Sequence, residues 1–379
     1  MNNPQLVFKL PWYSRHVLSQ IQKCAREELG YVISACDDCG HQEYLSPCSC
    51  NNRHCPSCGG LKRKEWQEKV SERNFAPKYF HVVFTLPHEL NSLILKHQKE
   101  LLGLLSQEAA KTLLKFSLDP KYLGGTPFLM TVLHTWTQDL RYHPHIHCLI
   151  SAGALSNDLE HWFEPKNKNF LFPVHALSKV FKGSFLEGLK KLINEGKVTL
   201  EPQYQNNFGI IDFFACLPKK WNVYCKPPYK GKNVVLKYFA QYTNRSGISD
   251  SRINKVTETE IFIRPKRDSA EPDFNANDIA AASKKMIILT LQEFFRRFFL
   301  HILPKGFHRI RHLGLASPHC SKKKLEAAQK LLDKIPNKTN KNTVKLIQTP
   351  PCQKCHSPNT KIVSLRKIQN QKERRNDTS

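Results

Sequence analysis

The chain has 379 residues, 40% of them hydrophobic, and a formal net charge of +26 at pH 7, with 58 Lys or Arg against 32 Asp or Glu. This length and apolar content suffice for two or three domains with a packed core, and they argue against a chain that is disordered throughout. The charge predicts a polyanionic partner. Nucleic acid is favoured over an anionic membrane because the basic residues are spread along the chain and not gathered on one amphipathic helix.

No segment has the form of a signal peptide or a transmembrane helix. The first residues, MNNPQLVFKLPWYSRH, lack a basic region followed by an apolar one. The most apolar long window, KKMIILTLQEFFRRFFLHIL, is interrupted by charges. We therefore expect a cytoplasmic protein without a membrane partner.

Cysteines dominate the first predicted domain, residues 1–70. Thirteen cysteines without a secretion signal favour metal binding over a disulfide framework. CDDC (Cys36, Cys39) and CPSC (Cys55, Cys58) are separated by 15 residues, a spacing that lets four thiolates bind one structural zinc while the intervening chain forms a hairpin. The alternative is four buried, reduced cysteines. Candidates for a second zinc are Cys24, Cys48, Cys50, His41 and His54.

The second predicted domain, residues 71–315, mixes both kinds of periodicity. YFHVVFT, PFLMTVLHTW, HIHCLISAGAL and WNVYC have strand composition, whereas the stretches around 89–116, 174–196 and 233–245 have helical spacing. The second and third strands are close enough to form an antiparallel hairpin. The pattern predicts an α+β fold with a largely antiparallel sheet.

The third predicted domain, residues 316–379, is a basic tail. From Ser321 onward 15 residues are Lys or Arg and four are Asp or Glu, and apolar residues are few. We predict that this tail is partly disordered and that CQKCH, at 352–356, orders it locally.

RYHPHIHCLI, at 141–150, carries the first candidate for chemistry. On a strand His145 and His147 point to one face and Ile146 to the other, so both imidazoles can bind one divalent ion. Pro144 predicts that the strand begins after it. The alternative is a histidine cluster that contacts phosphate or solvent. Because two imidazoles leave coordination positions open, the pattern favours a catalytic metal, with Gln138 as the candidate third ligand.

KYFAQYTNR carries the second candidate. Tyr238 and Tyr242 are four residues apart, which places both on one face of a helix. Taken alone, the pair is typical of a buried helix stripe. Combined with a metal that neutralises phosphoryl oxygens, two phenols could instead perform two successive transesterifications.

These blocks resemble the two-tyrosine, rolling-circle insertion-sequence transposases of the HUH superfamily, named for histidine–hydrophobe–histidine. CDDCGHQEY to GGLKRKEW is similar to the zinc-binding domain of that family, and YFHVVFTLPHELN and VLHTWTQDLRYHPHIHCLISAGAL to its first core strand and HUH hairpin. YFAQYTNRSGIS and EFFRRFFLHILPKGFHRIRHLG follow in the same order. The resemblance implies an HUH-type antiparallel sheet of about five strands flanked by helices and preceded by a small zinc-ribbon-like domain.

The resemblance also implies residue roles. His145 and His147 would bind magnesium or manganese, Tyr238 would be the first nucleophile and Tyr242 the second. In the zinc-binding domain, the residues that match the family pattern are Cys50, His54, Cys55 and Cys58. The sequence departs from the family at Asn244, where a histidine often stands.

DNA contacts are expected near the tyrosines and late in the chain. Arg245 follows the tyrosine pair. In LPKGFHRIRHLG an extended chain would place Lys305, Phe307, Arg309 and Arg311 on one face, a mixture that suits single-stranded DNA. The alternative is a solvated strand edge blunted by charge.

The sequence thus predicts a transposase that nicks and joins single-stranded DNA at element ends through a 5′-phosphotyrosine, with no small-molecule substrate. Such a protein would be bacterial and associated with the nucleoid when bound to DNA. Two alternatives stay open: a plasmid replication initiator or relaxase with the same chemistry, and an inactive zinc-containing DNA-binding regulator. A metal-dependent hydrolase without a covalent intermediate is a third.

Overall fold

The structure is a computed structural model that describes residues 10–60, 66, 70, 76, 78–226, 247–265, 286–333 and 350–365. The chain divides into two compact units. The small unit combines Met1–Gly59 with Asn340–Ser379, and the large unit is Gly60–Thr339. Helices and antiparallel sheets make up both, so the predicted α+β class is confirmed.

In chain order, the α-helices of the described residues are α1 Trp12–Gln22, α2 Asn91–Lys96, α3 Gln98–Leu118, α4 Val174–Asn194, α5 Asn207–Ala215, α6 Leu291–Leu300 and α7 Lys322–Asp333. The strands are β1 Tyr31–Cys36, β2 Gln42–Pro47, β3 Tyr79–Thr85, β4 Phe128–Trp136, β5 Tyr142–Ser151, β6 Ala154–Leu155, β7 Trp162–Phe163, β8 Val223–Lys226, β9 Ile253–Val256, β10 Glu260–Ile263, β11 Ile287–Thr290, β12 Ile310–Gly314 and β13 Thr360–Leu365. None of these helices is long and apolar enough to cross a membrane.

The small unit is built on a three-stranded antiparallel sheet in the order β13–β1–β2. The predicted division at residue 315 therefore differs from the structure, because β13 pairs along the whole of β1, with Cys36 opposite Thr360. Helix α7 lies in the large unit and buries Ala328 and Leu332. The composition of residues 316–379 led us to place α7 and β13 together in one tail. The pairing of β13 with the distant strand β1 could not be predicted, because such backbone pairing leaves no local pattern in the sequence.

The large unit is organised by a five-stranded antiparallel sheet in the order β12–β4–β5–β3–β8. The predicted hairpin is confirmed as the β4–β5 pair, and YFHVVFT forms β3 as predicted. Helix α4 ends as predicted before Gly196, whose φ of 68° is the left-handed conformation that glycine adopts readily at a helix end. The smaller sheets of this unit are β11–β10–β9 and β6–β7.

One face of this sheet forms the main hydrophobic core against α3 and α4. Alternate residues of the three central strands point to this face, as the strand period of two requires. Ile146 is among them and is fully buried, and Phe84 meets Phe181 of α4 with ring centroids 4.8 Å apart. The predicted inward orientation of Ile146 is therefore confirmed.

The opposite face of the sheet has an apolar half and a polar half, which follow each other along the strands. Towards one end it is apolar, and Met130, Val132 and Leu149 pack in a second core with Ala328 and Leu332 of α7. Towards the other end the same strand positions carry histidines, which lie near the β4–β5 turn. The sheet thus presents a buried polar cluster on a rigid, well-packed support.

The predicted start of the histidine strand after Pro144 is wrong, because β5 begins at Tyr142. The pairing of β4 with β5 shifts register between His134 and Trp136, and Pro144 lies opposite this irregularity. A proline is tolerated at such a bulge because the ladder does not require an N–H from it.

Replacing Phe181 by alanine should lower the free energy of unfolding of the large unit by about 3–5 kcal/mol, the range observed when a buried phenylalanine is deleted. Urea unfolding followed by tryptophan fluorescence measures the change. Phe163→Ala is the matched control, since that ring is 40% exposed, and should cost much less. Equal losses in the two variants would contradict the packing described for α4.

Candidate metal centres

Three histidines meet on the polar half of the sheet. His134, His145 and His147 each offer one ring nitrogen, and these atoms lie within 4.8 Å of one another. The ring centroids are 4.4 Å apart for His134 and His147 and 4.9 Å apart for His145 and His147. All three side chains are buried. This distance allows the three nitrogens to bind one ion.

The antiparallel register explains this convergence. His134 on β4 lies directly opposite His145 on β5, and His147 is two residues further along β5 on the same face. Directly opposite side chains have Cβ atoms about 4.5–5.5 Å apart, so the hairpin itself brings the rings together.

Hydrogen bonds that involve the Nδ1 atoms of His145 and His147 orient these two rings. Nδ1 of His145 lies 2.7 Å from the carbonyl oxygen of His143, which can only accept, so Nδ1 carries the proton and Nε2 is the ligand atom. Nδ1 of His147 lies 2.8 Å from Nε2 of His81 on β3. A metal on Nε2 of His147 would fix the proton on its Nδ1, which would then donate to His81.

His81 is suited to accept that hydrogen bond. Burial and then the ammonium of Lys226 lower the pKa of His81 to about 3, so the ring is neutral at physiological pH. Its ring is nearly parallel to that of His147, with an interplanar angle of 8° and centroids 5.1 Å apart, as an edge-to-edge hydrogen bond between two imidazoles requires. The sequence pointed to this position only as part of a strand, because its role depends on which strand pairs with β5.

The donor set fits a catalytic divalent ion. Three neutral imidazoles leave coordination positions open for substrate oxygens, unlike a closed structural site. Nitrogen donors suit a first-row transition ion better than magnesium, which prefers oxygen ligands. Of the two ions that the sequence suggested, manganese is therefore the better match.

His134 is a candidate third ligand that the sequence-based prediction did not name; the predicted one was Gln138. That residue lies beyond the end of β4, and its backbone carbonyl accepts a hydrogen bond of 2.7 Å from Nη2 of the buried Arg252. His134 lies within the strand and directly opposite His145. Reflecting the sequence about residue 139, the middle of the 137–141 turn, pairs Trp136 with Tyr142 but misses the pair His134–His145, because the register shifts between them.

A tryptophan connects the histidines to a buried arginine. The ring of Trp136 is stacked on His134 with centroids 4.6 Å apart, and the guanidinium of Arg309 lies 5.4 Å from the centroid of the Trp136 ring. Such a cation–π contact is stronger when the cation is shielded from water. Arg309 therefore helps to hold Trp136 against the histidine cluster.

The predicted DNA-binding face late in the chain does not form as a surface. Phe307 joins the main core and Arg309 is only 6% exposed, whereas Lys305 is exposed and Arg311 half-buried. The reason is that the chain here enters β12 against β4, so alternate side chains are drawn into the fold.

Tyr238, Tyr242, Asn244 and Arg245 lie outside the described residues, and the structure does not place them. The described residues on both sides of that stretch lie next to residues that contact the histidine cluster, His81 and Trp136. Lys226, at the end of β8, is paired with His81. A Cβ atom on Gly247 would lie 3.0 Å from Cγ of Trp136.

The first of two cysteine clusters consists of Cys24, Cys50, Cys55 and Cys58. The sulfurs of Cys50 and Cys58 are 3.6 Å apart. Tetrahedral zinc with Zn–S bonds of about 2.3 Å requires about 3.8 Å between sulfurs. Burial raises the pKa of Cys55, but hydrogen bonds from the N–H groups of Cys58 and Ser57 outweigh it and bring that pKa below its ordinary value, whereas burial raises the pKa of Cys50 and of Cys58.

The second cluster consists of Cys36, Cys39, Cys352 and Cys355. Backbone N–H groups, that of Cys355 first, lower the pKa of the Cys352 thiol to about 7. Cys36 and Cys39 thus group with Cys352 and Cys355, whereas Cys55 and Cys58 belong to the first cluster. The expectation that these two CxxC pairs share one zinc is wrong for this reason.

The strand geometry explains why the two CxxC pairs separate. Cys36 and Cys39 lie at the turn between β1 and β2, whereas Cys50 follows the far end of β2, where its N–H donates to the sulfur of Cys24. A six-residue strand spans about 20 Å, too far for ligands at its two ends to reach one ion. His54, also a candidate ligand, is buried but does not belong to either cluster.

Comparison with known proteins gives the class of this arrangement. Residues 129–324 match a family described as "Putative transposase", and residues 4–86 match a family described as "Transposase zinc-binding domain". No solved structure matches the chain.

Two curated relatives are similar over most of their length. "Putative transposase y4qJ" of Sinorhizobium fredii is 36% identical over 326 residues, which cover 84% of this chain and 78% of the relative. "Transposase for insertion sequence element IS801" of Pseudomonas savastanoi pv. phaseolicola is 26% identical over 313 residues, or 80% of this chain and 70% of the relative. The chain belongs to this family of insertion-sequence transposases, and it carries the zinc-binding domain found at their N-terminus.

Replacing His81 by leucine should weaken manganese binding by about 10- to 100-fold, because the residue that orients a ligand histidine contributes about that much to affinity. Calorimetric titration with Mn²⁺ measures the change. His81→Gln, whose side-chain oxygen can still accept from His147, should recover part of the affinity. His88→Leu, at a solvent-exposed position, is the control. Unchanged affinity in His81→Leu would contradict the role assigned to this hydrogen bond.

Proposed function

We propose that this transposase nicks and joins single-stranded DNA at insertion-sequence ends by metal-assisted tyrosine transesterification, in a rolling-circle type of transposition. One observation carries the proposal. Each described end of the segment that contains Tyr238 and Tyr242 lies one residue away from the buried three-histidine centre: Lys226 pairs with His81, the hydrogen-bond partner of His147, and Gly247 lies against Trp136, which is stacked on His134. Family membership supports DNA as the substrate.

Chain connectivity supports Tyr242 as one of the nucleophiles. Tyr242 precedes Gly247 by five residues, and five residues span at most about 18 Å even when fully extended. Gly247 lies against Trp136, and Trp136 is stacked on His134 of the candidate metal site.

His134, His145 and His147 would hold the ion through their ring nitrogens. A divalent ion bound there would withdraw negative charge from the phosphoryl oxygens as they are attacked. The rigid hairpin fixes the three rings before DNA arrives, so little reorganisation accompanies the reaction. His81 and the carbonyl of His143 keep two of the rings in the required tautomer.

In the proposed reaction the phenolic oxygen of Tyr238 forms a bond to phosphorus and the bond from phosphorus to the 3′ oxygen breaks. The phenol loses its proton to solvent, and the leaving oxygen takes one up as a free 3′-hydroxyl. The 5′ phosphate stays on the tyrosine as a diester, which conserves the energy of the cleaved bond. Tyr242 would repeat the step during strand transfer.

The charge of the chain suits this substrate. A net charge of +26 favours association with a phosphate backbone through the release of counterions. Arg245, close to the tyrosines in sequence, Lys305 and Arg311 are the proposed DNA contacts, whereas Arg309 is committed to Trp136.

The proposal is tested by a covalent adduct. The full chain is incubated with Mn²⁺ and a single-stranded element end labelled at its 3′ terminus, because the label must stay on the fragment that keeps the 5′ phosphate. We expect a labelled protein band, loss of that band in Tyr238→Phe as first nucleophile, and normal labelling in Tyr44→Phe, an exposed control.

Two outcomes would overturn this chemistry. Tight DNA binding without an adduct at any metal concentration would indicate a non-catalytic regulator. Cleavage that persists in the double variant Tyr238→Phe/Tyr242→Phe would indicate a hydrolase without a covalent intermediate.

Gly247→Ala tests the anchoring of the tyrosine segment. The added methyl group would meet the Trp136 ring at 3.0 Å and displace the anchor, and a displacement of about 1 Å can slow a reaction by about 100-fold. We expect slower adduct formation with unchanged manganese affinity. Gly183→Ala, on α4, is the matched control because a methyl group added there would meet no neighbouring atom within 4 Å. Equal adduct rates in both variants would exclude this anchoring role.

A further inference from the structure

The second cysteine cluster draws its ligands from both ends of the sequence. The sulfurs of Cys36 and Cys355 are 3.6 Å apart, as are those of Cys39 and Cys352, and the members of these pairs are 319 and 313 residues apart in sequence. The matched zinc-binding domain ends at residue 86 and the matched transposase domain at residue 324. Neither match includes Cys352 or Cys355.

The N-terminal CxxC pair of this cluster forms a compact turn. The N–H of Cys36 donates to the carbonyl of His41 at 2.9 Å, and the N–H of Gly40 donates to the carbonyl of Cys36 at 3.0 Å. Gly40 has a φ of 69°. This left-handed residue, four positions after the first cysteine, turns the chain back so that both thiols face the same point.

The C-terminal pair forms the same turn. The N–H of Cys352 donates to the carbonyl of Ser357, and the N–H of His356 donates to the carbonyl of Cys352, both at 2.9 Å. His356 has a φ of 59°, although a non-glycine residue is uncommon in this conformation. Two distant segments therefore adopt one local geometry and present four thiols to each other.

Polar contacts hold the two turns together. The carboxylate of Asp38 accepts hydrogen bonds from the hydroxyl of Ser357 and from Nδ2 of Asn359. The N–H of Asp37 donates to the carbonyl of Asn359 at 2.9 Å, and its carboxylate pairs with Lys361. These contacts are independent of the sulfurs and give the turns a defined relative position.

The sulfur separations fit a tetrahedral ion. Zinc bound by four thiolates requires about 3.8 Å between sulfurs, close to the observed 3.6 Å. The distance is far longer than the S–S bond of a disulfide, about 2.05 Å. Four thiolates also fill all positions of a tetrahedral ion, so the site is structural and leaves no position for substrate.

We infer that Cys36, Cys39, Cys352 and Cys355 bind a second structural zinc, separate from the ion at Cys24, Cys50, Cys55 and Cys58. This zinc joins the C-terminal strand β13 to the β1–β2 hairpin and completes a zinc ribbon from two segments of the chain. The N-terminal domain of this transposase is therefore incomplete without residues 350–365.

Zinc content of the purified full chain tests the inference. Elemental analysis by mass spectrometry should give one zinc ion fewer per chain in Cys352→Ser/Cys355→Ser than in the unaltered chain. The matched control is Cys216→Ser, which removes an exposed cysteine outside both clusters and should leave the zinc content unchanged. Equal zinc contents in the double variant and the unaltered chain would overturn the inference.

A second measurement avoids variants that fold poorly. Cys39, Cys355 and Cys216 are all exposed, so N-ethylmaleimide can reach each of them in the absence of a metal. With zinc bound, only Cys216 should react quickly, and a chelator should accelerate the modification of Cys39 and Cys355 but not that of Cys216. Peptide mass spectrometry of the native chain reads each site. Rapid modification of Cys39 and Cys355 before chelation would contradict the proposed site.

Discussion

The register of one antiparallel hairpin determines which side chains of the large unit form the candidate metal site. In the β4–β5 pair, His134 lies opposite His145, while Ile146 between the two HUH histidines is fully buried against the helical layer. A shift of one residue would turn the apolar face outwards and the histidines into the core. The hydrophobic packing of α3 and α4 therefore also determines where the candidate metal ligands point, although no residue of these helices belongs to the ligand set.

Burying several imidazoles is unfavourable unless their nitrogens find partners. Here the partners are specific: a backbone carbonyl for His145 and the neutral ring of His81 for His147. These bonds select the nitrogen that would bind metal and restrict the rings before an ion arrives. The Trp136 ring and the Arg309 guanidinium extend the rigid region to the described end of the tyrosine segment at Gly247. A stiff sheet at the candidate metal centre suits the proposed phosphoryl transfer.

The small unit relies on a different source of stability. Few apolar side chains among its described residues are buried, Val17 and Ile33 being two of them, and a sheet of three short strands cannot supply a large core. Metal ligation can replace that core, because binding free energy becomes folding free energy when the site forms only in the folded chain. This explains why cysteines are concentrated here, and why two clusters at opposite ends of β1 and β2 serve it better than one.

The sequence by itself determined the local elements and most of the candidate metal ligands. Alternating and helical periodicities predicted the central strands and the long helices, and the motifs pointed to His145, His147 and the paired cysteines. Only the tertiary structure decided which of these residues meet: His134 with His145 and His147, Cys352 and Cys355 with Cys36 and Cys39, and the burial of Arg309. Each of these depends on strand register or on the return of a distant segment. Such long-range pairings are set by backbone hydrogen bonds and packing, which leave no periodic trace in the sequence.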